Sequence, residues 1–410
     1  MILAASSKEP SMSRRTTLRL PSPRLPASRL PSPAVVLAAL LLAGLSACSS
    51  VRTTPTVVRD AGPATPARND RANTLSFPPG EEDGYRPPAQ LALLLPMTGS
   101  LAPAGASVRD GFLAAYYGET RRRPVVKFYD THGTGGGAQA AAARAIAEGA
   151  QMLVGPLGRE EVNAITLPAD KHLPWIALNR GARAPGAGQS SFALVPEEEG
   201  MAVAERLLER KLGRVLVFAN RGDQATRALG AFKRTLVAGG GSVVAEIPVS
   251  GETSDLGAQI AALQSGPTPA QAVFLVLEAG QARAVAAQLR TSAAATLPRI
   301  ATALILNGAN ARADIELDGI EYPESPWLLG QGSGLPAPES VRVPSARGGG
   351  QRLFAFGADA WKLAAYFEHL YNDPSASVRG ATGLLQIDIA GPVHRTPGWA
   401  VFSGGRGRIR

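Results

Sequence analysis

Residue types that do chemistry are sparse in this chain. Cys48 is the one cysteine in 410 residues, so no intramolecular disulfide is available and no second thiol can share a metal. Four histidines, His132, His172, His369 and His394, are scattered without metal-ligand spacing, and no G-x-S-x-G elbow or Walker loop occurs. One glycine pattern has to be weighed: in THGTGGGAQAAAARA, Gly133, Gly135 and Ala138 satisfy G-x-G-x-x-G/A behind the strand-like run VVKFYD. A dinucleotide site also needs an acid at the end of the following strand for the ribose hydroxyls. That strand, QMLVG, ends in Gly155 and Pro156. The pattern therefore reads as a glycine-rich loop, and the chain as a protein that is not an enzyme, with no cofactor and no metal. Carboxylates such as Asp130 and Asp223 could pair only if the fold brought them together.

The surroundings of Cys48 give that thiol a use. Ala34 to Leu45 reads AVVLAALLLAGL, an apolar run of 12 residues, too short to cross a bilayer core of ~30 Å but suited to a signal-peptide h-region. Lys8, Arg14, Arg15, Arg19, Arg24 and Arg29 precede it against the single acid Glu9, which supplies the positive n-region. Leu45, Ser46 and Ala47 before Cys48 resemble the lipobox of bacterial lipoproteins. That resemblance implies cleavage before Cys48, a thioether to diacylglycerol, and anchoring by acyl chains at roughly 0.8 kcal/mol per buried methylene. Ser49 in the next position implies the outer membrane, with the protein facing the periplasm.

The net charge of +9 is mostly leader, because six basic residues against one acid lie before Cys48 and leave about +4 for the rest. So modest a balance does not make an electrostatic footprint for nucleic acid.

The elements that would position any site follow. Residues 48–88 are rich in Pro, Thr, Arg and Asp with few large apolar residues, which predicts a flexible tether behind a 1–47 signal peptide. From about Ala89 onwards, LALLLPM, VVKFYD, QMLVG and PWIALN read as strands alternating with helices, one of which places Val108, Phe112 and Tyr116 on one face. Such a βαβ rhythm specifies a parallel sheet flanked by helices. After Phe192 it restarts. Glu197, Glu198 and Glu199 head a helix that ends in Arg210 and Lys211, as the helix dipole prefers, with Met201, Ala204, Leu207 and Leu208 inward. RVLVFA, SVVAEIPV, AVFLVL and RIATALIL follow as strands. RLFAFGADAWKLAAYFEHLY predicts one long amphipathic helix, and GLLQIDIAGPVHRTPGWAVF an antiparallel hairpin with Leu385, Ile387 and Ile389 alternating.

In order, LALLLPMTGSLAPAGASVRDGFLAAYY, FYDT, MLVGPLGREEVNAI, PWIALN, DGIEYPESPWLL, RLFAFGADAWKLA and GATGLLQIDIAGPVHR resemble the LppC-type lipoproteins, a family of penicillin-binding protein activators. The resemblance runs from about Leu91 to the C-terminus. It implies an α/β, two-lobed periplasmic-binding-protein type I fold whose lobes are joined by three crossings of the chain. Lobe one would be 89–193 with 327–378, and lobe two 194–326 with 379–410. It further implies a lipid-anchored, non-catalytic activator of a bifunctional penicillin-binding protein, the peptidoglycan synthase. Longer members carry a helical tetratricopeptide-like domain first, which the 40 residues from Ser49 to Pro88 cannot contain. Such a segment reaches ~140 Å fully extended but averages ~35 Å as a coil.

A solute-binding protein for an amino acid or similar small ligand is the competing reading. It would place strand-end side chains at a cleft between the lobes. The candidates are Thr98, Gly99 and Ser100, Asp130 and Thr131, Pro156 and Arg159, Asn179, and Asn220 with Asp223 in lobe two. Each has a plainer role as a helix cap or turn residue. Arg159 and Glu160, where amino-acid binders of this fold use small hydroxylated residues, favour the activator.

Overall fold

The computed structural model describes residues 77–168, 173–250, 255–332 and 334–410. The expected signal peptide, Cys48 and the tether up to residue 76 lie outside the described residues.

Five short strands form the first sheet: β1 (Gln90–Leu95), β2 (Val125–Asp130), β3 (Met152–Val154), β4 (Trp175–Ala177) and β5 (Gln189–Ser191). Their order is β2-β1-β3-β4-β5 and every pairing is parallel. The run of leucines in β1 is explained by helices covering both faces. Leu91, Leu93 and Leu95 join one core cluster, while Ala92 and Leu94 join another on the opposite face. Helices α1 (Ala102–Gly118), α2 (Gly135–Ala147) and α3 (Arg159–Ala164) connect the strands. Val108 and Phe112 are fully buried, as their spacing predicts. By contrast, β2 is an edge, and its Val125 and Phe128 are exposed.

The second sheet has order β15-β14-β10-β9-β8-β6-β7. Its strands are β6 (Arg214–Ala219), β7 (Ser242–Pro248), β8 (Ala272–Val276), β9 (Arg299–Ala301), β10 (Glu321–Glu324), β14 (Gly398–Ser403) and β15 (Arg406–Ile409). The first five pair in parallel; β14 and β15 add on antiparallel. Leu216 and Phe218 of β6 point into one core, Val215 and Val217 into the other. Helices α4 (Pro196–Glu209), α5 (Asp223–Ala238), α6 (Gly257–Gln264) and α7 (Ala279–Arg290) flank this sheet.

The chain returns to the first lobe after β10 for α8 (Gly350–Ala365), α9 (Phe367–Asn372) and a small antiparallel sheet. That sheet is β11 (Val378–Arg379), β12 (Leu384–Ile387) and β13 (Val393–Thr396). It then crosses once more into β14. The three crossings follow β5, β10 and β13. Helices α1 and α8 approach closely enough that a Cβ on Gly111 would sit 1.8 Å from the Phe354 carbonyl oxygen, and one on Gly357 1.9 Å from that of Val108.

Several expectations are corrected. Residues 77–88 are packed, not tethering: Phe77 and Tyr85 are buried in the first lobe's core, and Arg86 pairs with Glu368 at 2.6 Å. Two aromatics and one arginine suffice to hold the segment, although its average composition is polar. Of the stretch 379–410 expected in lobe two, only β14 and β15 join the second sheet. Leu385, Ile387 and Val393 instead share a core with Leu91 and Phe356. Ile389 falls at the turn closed by Gly391 and Asp388, and is exposed. The long helix breaks at Tyr366 into α8 and α9. RIATALIL stops being a strand at Ala301 and continues as a 3-10 turn, Ala303–Leu306. In α4 the buried residues are Glu198, Gly200, Ala202, Val203, Ala204 and Leu207, while Met201 and Leu208 are half-buried.

Candidate functional site

The strand-end residues lie at turns, and most of their polar atoms are engaged locally. Asp130 accepts hydrogen bonds from the Thr98 hydroxyl at 2.8 Å, from the Met97 amide at 2.9 Å and from the His132 amide at 2.8 Å. Desolvation opposes its ionisation, but these donors outweigh it and hold the carboxyl below the ordinary aspartate range. Thr98 Oγ1 also meets His132 Nδ1 at 2.7 Å. Gly99 takes φ +81, and a Cβ there would stand 2.7 Å from the His132 carbonyl oxygen. Ser100 is exposed beside it. Thr131 is fully buried near the buried Glu161 carboxyl, yet Thr131 Oγ1 and Glu161 Oε1 complete no hydrogen bond of good geometry.

Pro156 is buried behind a cis Gly155–Pro156 bond, and Arg159 is exposed at the start of α3. Asn179 donates to the Leu157 carbonyl at 2.9 Å and accepts from the Arg180 amide at 2.9 Å. Asn220 donates to Gln281 at 3.0 Å and accepts from the Gly222 amide, and Asp223 sits exposed in the first turn of α5 near Arg227. Thr98 and Asp130 are thus brought together, with His132. Asp223, in the other lobe, forms no pair with Asp130. The glycine pattern is only partly a loop: Gly133 lies in the turn after β2 with φ +67, but Thr134 caps α2 by accepting from the Gly137 amide at 3.1 Å, and Gly135 to Gly137 form the helix's first turn. Among the described residues no three His, Cys, Asp or Glu side chains group as metal ligands. None of the described helices is long and apolar enough to cross a membrane.

The denser chemistry lies at the crossings, where the sequence alone did not place it. Glu198 is almost fully buried, 2.9 Å from Arg180 Nη2 and 3.4 Å from Arg395 Nε. Arg180 follows β4, Glu198 heads α4 and Arg395 lies on β13, so one carboxylate ties three segments at the first and third crossings. Arg352 of α8 forms a two-pronged pair with Glu324, the last residue of β10, at 2.8 and 3.2 Å. Asp359, fully buried on α8, accepts from the Ala381 and Thr382 amides at 2.5 and 2.7 Å and from the Thr382 hydroxyl at 2.6 Å. Ser325 donates to the Ala381 carbonyl at 2.6 Å.

Between these groups lies a cavity of about 220 Å³, walled by Glu199, Thr302, Glu324, Arg352, Thr382 and Arg395 among others. None of the strand-end candidates lines it. Glu199 accepts from the Ala303 amide at 2.8 Å. Desolvation pushes its carboxyl above the ordinary glutamate value, against the attraction of Arg352 and the Ala303 hydrogen bond. The side chain nonetheless keeps some accessible area, which the cavity it lines accounts for.

Residues 84–247 and 246–405 match the model of the family described as "LppC putative lipoprotein". A protein named penicillin-binding protein activator LpoA, from Photobacterium profundum, is 26% identical; the match covers 76% of this chain and 56% of that relative. The chain thus spans about half the length of the curated relatives it matches. Among solved structures, the C-domain of LpoA from Haemophilus influenzae, described as a regulator of PBP1A, is similar with a TM-score of 0.63 at 22% identity, over 78% of this chain and 99% of that one. A structure described as a "putative branched-chain amino acid ABC transporter" from Chromobacterium violaceum scores 0.63 at 22% identity, over 77% and 100%. Together with the two mostly parallel sheets and three crossings, these likenesses define the fold as the two-lobed periplasmic-binding-protein type I architecture.

Proposed function

Because this chain belongs to the LppC lipoprotein family, we propose that it is a non-catalytic regulator that activates a bifunctional penicillin-binding protein, held by lipid on Cys48 in the outer membrane and facing the periplasm. The observation that carries this reading is the span of the family match, which runs through both lobes from residue 84 to 405. The relatives' name, penicillin-binding protein activator, supplies the partner class. The strand ends support it from another side. At a solute cleft, convergent polar groups stand ready for a ligand, whereas here Asp130, Asn179 and Asn220 spend theirs on neighbouring backbone and side chains. A solute binder working through those residues is the weaker reading.

In mechanism, such a regulator acts by binding one state of the synthase better than another, because a ligand shifts an equilibrium only by its differential affinity. A body whose lobes are tied by buried ion pairs presents a fixed surface for that purpose. Crosslinking the full chain in membranes of its own cells and identifying what it captures tests the proposal. A bifunctional penicillin-binding protein as the main adduct supports it; a transporter permease in its place contradicts it.

A further inference from the structure

Strand β15 closes one end of the second sheet and pairs on one side only, with β14. It is exposed along its whole length. The hairpin leading into it is fixed: Gly404 and Gly405 both take positive φ, as a two-residue turn requires, and Asp318 accepts from each of their amides at 2.9 Å. Arg410 donates its amide to the Trp399 carbonyl at 3.1 Å, so by antiparallel alternation the main chain of Arg406 and Arg408 also faces β14, while that of Gly407 and Ile409 faces outward. An open edge of this kind is a template for a further strand.

Charge decides which strand could add. Side chains alternate across a strand, so Arg406, Arg408 and Arg410 share one face. On that face Arg206, Arg210 and Arg410 all converge on the single carboxylate of Glu321, at 3.7, 2.7 and 3.2 Å. Glu209, exposed at the end of α4, is a second acid nearby. Arg406 and Arg408 enter no ion pair among the described residues. The face therefore carries surplus positive charge, which repels a second copy of the same edge. Residues 49–76 suit it no better, since they hold Arg52, Arg59, Arg68 and Arg71 against Asp60 and Asp70.

We propose that the β15 edge is a docking site for an extended acidic segment of a partner protein, which adds to the second sheet as a further strand. Its main chain pairs with the outward N–H and C=O groups of Gly407 and Ile409, and carboxylates on alternate residues meet Arg406 and Arg408. An anionic membrane surface is the poorer occupant, because it offers no row of donors in register with the outward carbonyls. The proposal does not rest on the regulatory reading, since a peptide alone is the probe.

Fluorescence anisotropy of a labelled peptide of alternating Glu and Thr, titrated with the full chain, tests it. One matched peptide carries Lys in place of Glu; another is N-methylated throughout, which keeps the charge and blocks strand pairing. Co-sedimentation with phosphatidylglycerol vesicles is the membrane probe. Saturable binding of the acidic peptide is expected, with neither matched peptide competing for it. Ile409→Pro removes an outward N–H while sparing the pairing to β14, and should weaken binding about threefold or more. Arg408→Glu, a second variant at an exposed position, should weaken it severalfold by turning an attraction into a like-charge contact. Equal binding of either matched peptide, binding confined to the vesicles, or no binding of the acidic peptide at millimolar concentration overturns the proposal. So does undiminished affinity in a folded Arg408→Glu variant.

Discussion

Arg352 and Glu324 join the two lobes through a paired contact, Nη2 to Oε2 at 2.8 Å and Nε to Oε1 at 3.2 Å, across the second crossing of the chain. Glu324 is the more enclosed partner, at 10% side-chain exposure against 34% for Arg352. Removing Arg352 strands the carboxylate, while water can partly solvate what is left. Arg352→Ala is therefore expected to cost about 1–3 kcal/mol, below the ~3–5 of a fully buried pair. Urea unfolding of both proteins measures it, and an unchanged midpoint would show that the contact contributes nothing.

Glu198 offers the deeper case. It is 4% exposed between Arg180 and Arg395, so Glu198→Ala leaves Arg395, itself 9% exposed, without its carboxylate. A loss of about 3–5 kcal/mol is expected. The double variant Glu198→Ala, Arg395→Ala should lose less than the two singles combined, because the second change removes the stranded charge. Additive losses would mean the two residues act independently.

Stability should also depend on pH through Glu199. Desolvation holds its folded carboxyl above the ordinary value of 4.5, against Arg352 and the Ala303 amide. The folded state thus binds this proton more tightly than the unfolded chain, so the favourable contribution is complete below pH 4.5 and is lost as pH rises through the folded pKa. Glu199→Gln should therefore be near neutral at the acid end and gain on the parent as pH rises. Urea midpoints for both proteins across that range check it; a difference that does not change with pH would refute it.

Residues 77–88 should matter for folding. Tyr85 is 2% exposed, donates its hydroxyl to the Arg122 carbonyl at 2.7 Å and lies 3.7 Å from the Arg121 guanidinium. Tyr85→Ala is expected to cost about 3 kcal/mol or more. A chain shortened to begin at residue 89 should melt well below one that begins at 77, because it also loses the Arg86–Glu368 pair. Equal melting temperatures would return this segment to the status of a tether.

These cases separate what local sequence carries from what only the folded chain assembles. The βαβ rhythm was legible because β1, β6 and β8 are apolar on both faces, which few other local structures require. The fate of residues 379–396 was not. Leu385 and Ile387 alternate as any hairpin does, and alternation does not say which core receives them. The hinge cavity draws on α4, on the turns after β9 and β10, on α8 and on β13, so no window of sequence contains it. One signal was available: Glu199 shares a helical stripe with Val203 and Leu207, which are 0% and 1% exposed, and Glu198 precedes Ala202 by one turn. Three successive glutamates suit a helix dipole, and that sufficient reason hid the inward turn of two of them.

The regulatory reading is tested most directly by reconstitution. The full, lipidated chain and a bifunctional penicillin-binding protein from the same cells are placed in one bilayer-containing assay, and the fraction of newly made peptidoglycan that is crosslinked is measured. The account predicts that the fraction rises with added chain, saturates near equimolar ratio, and falls back when Cys48→Ser removes the anchor. A crosslinked fraction unchanged at every ratio of the lipidated chain to its synthase would contradict it.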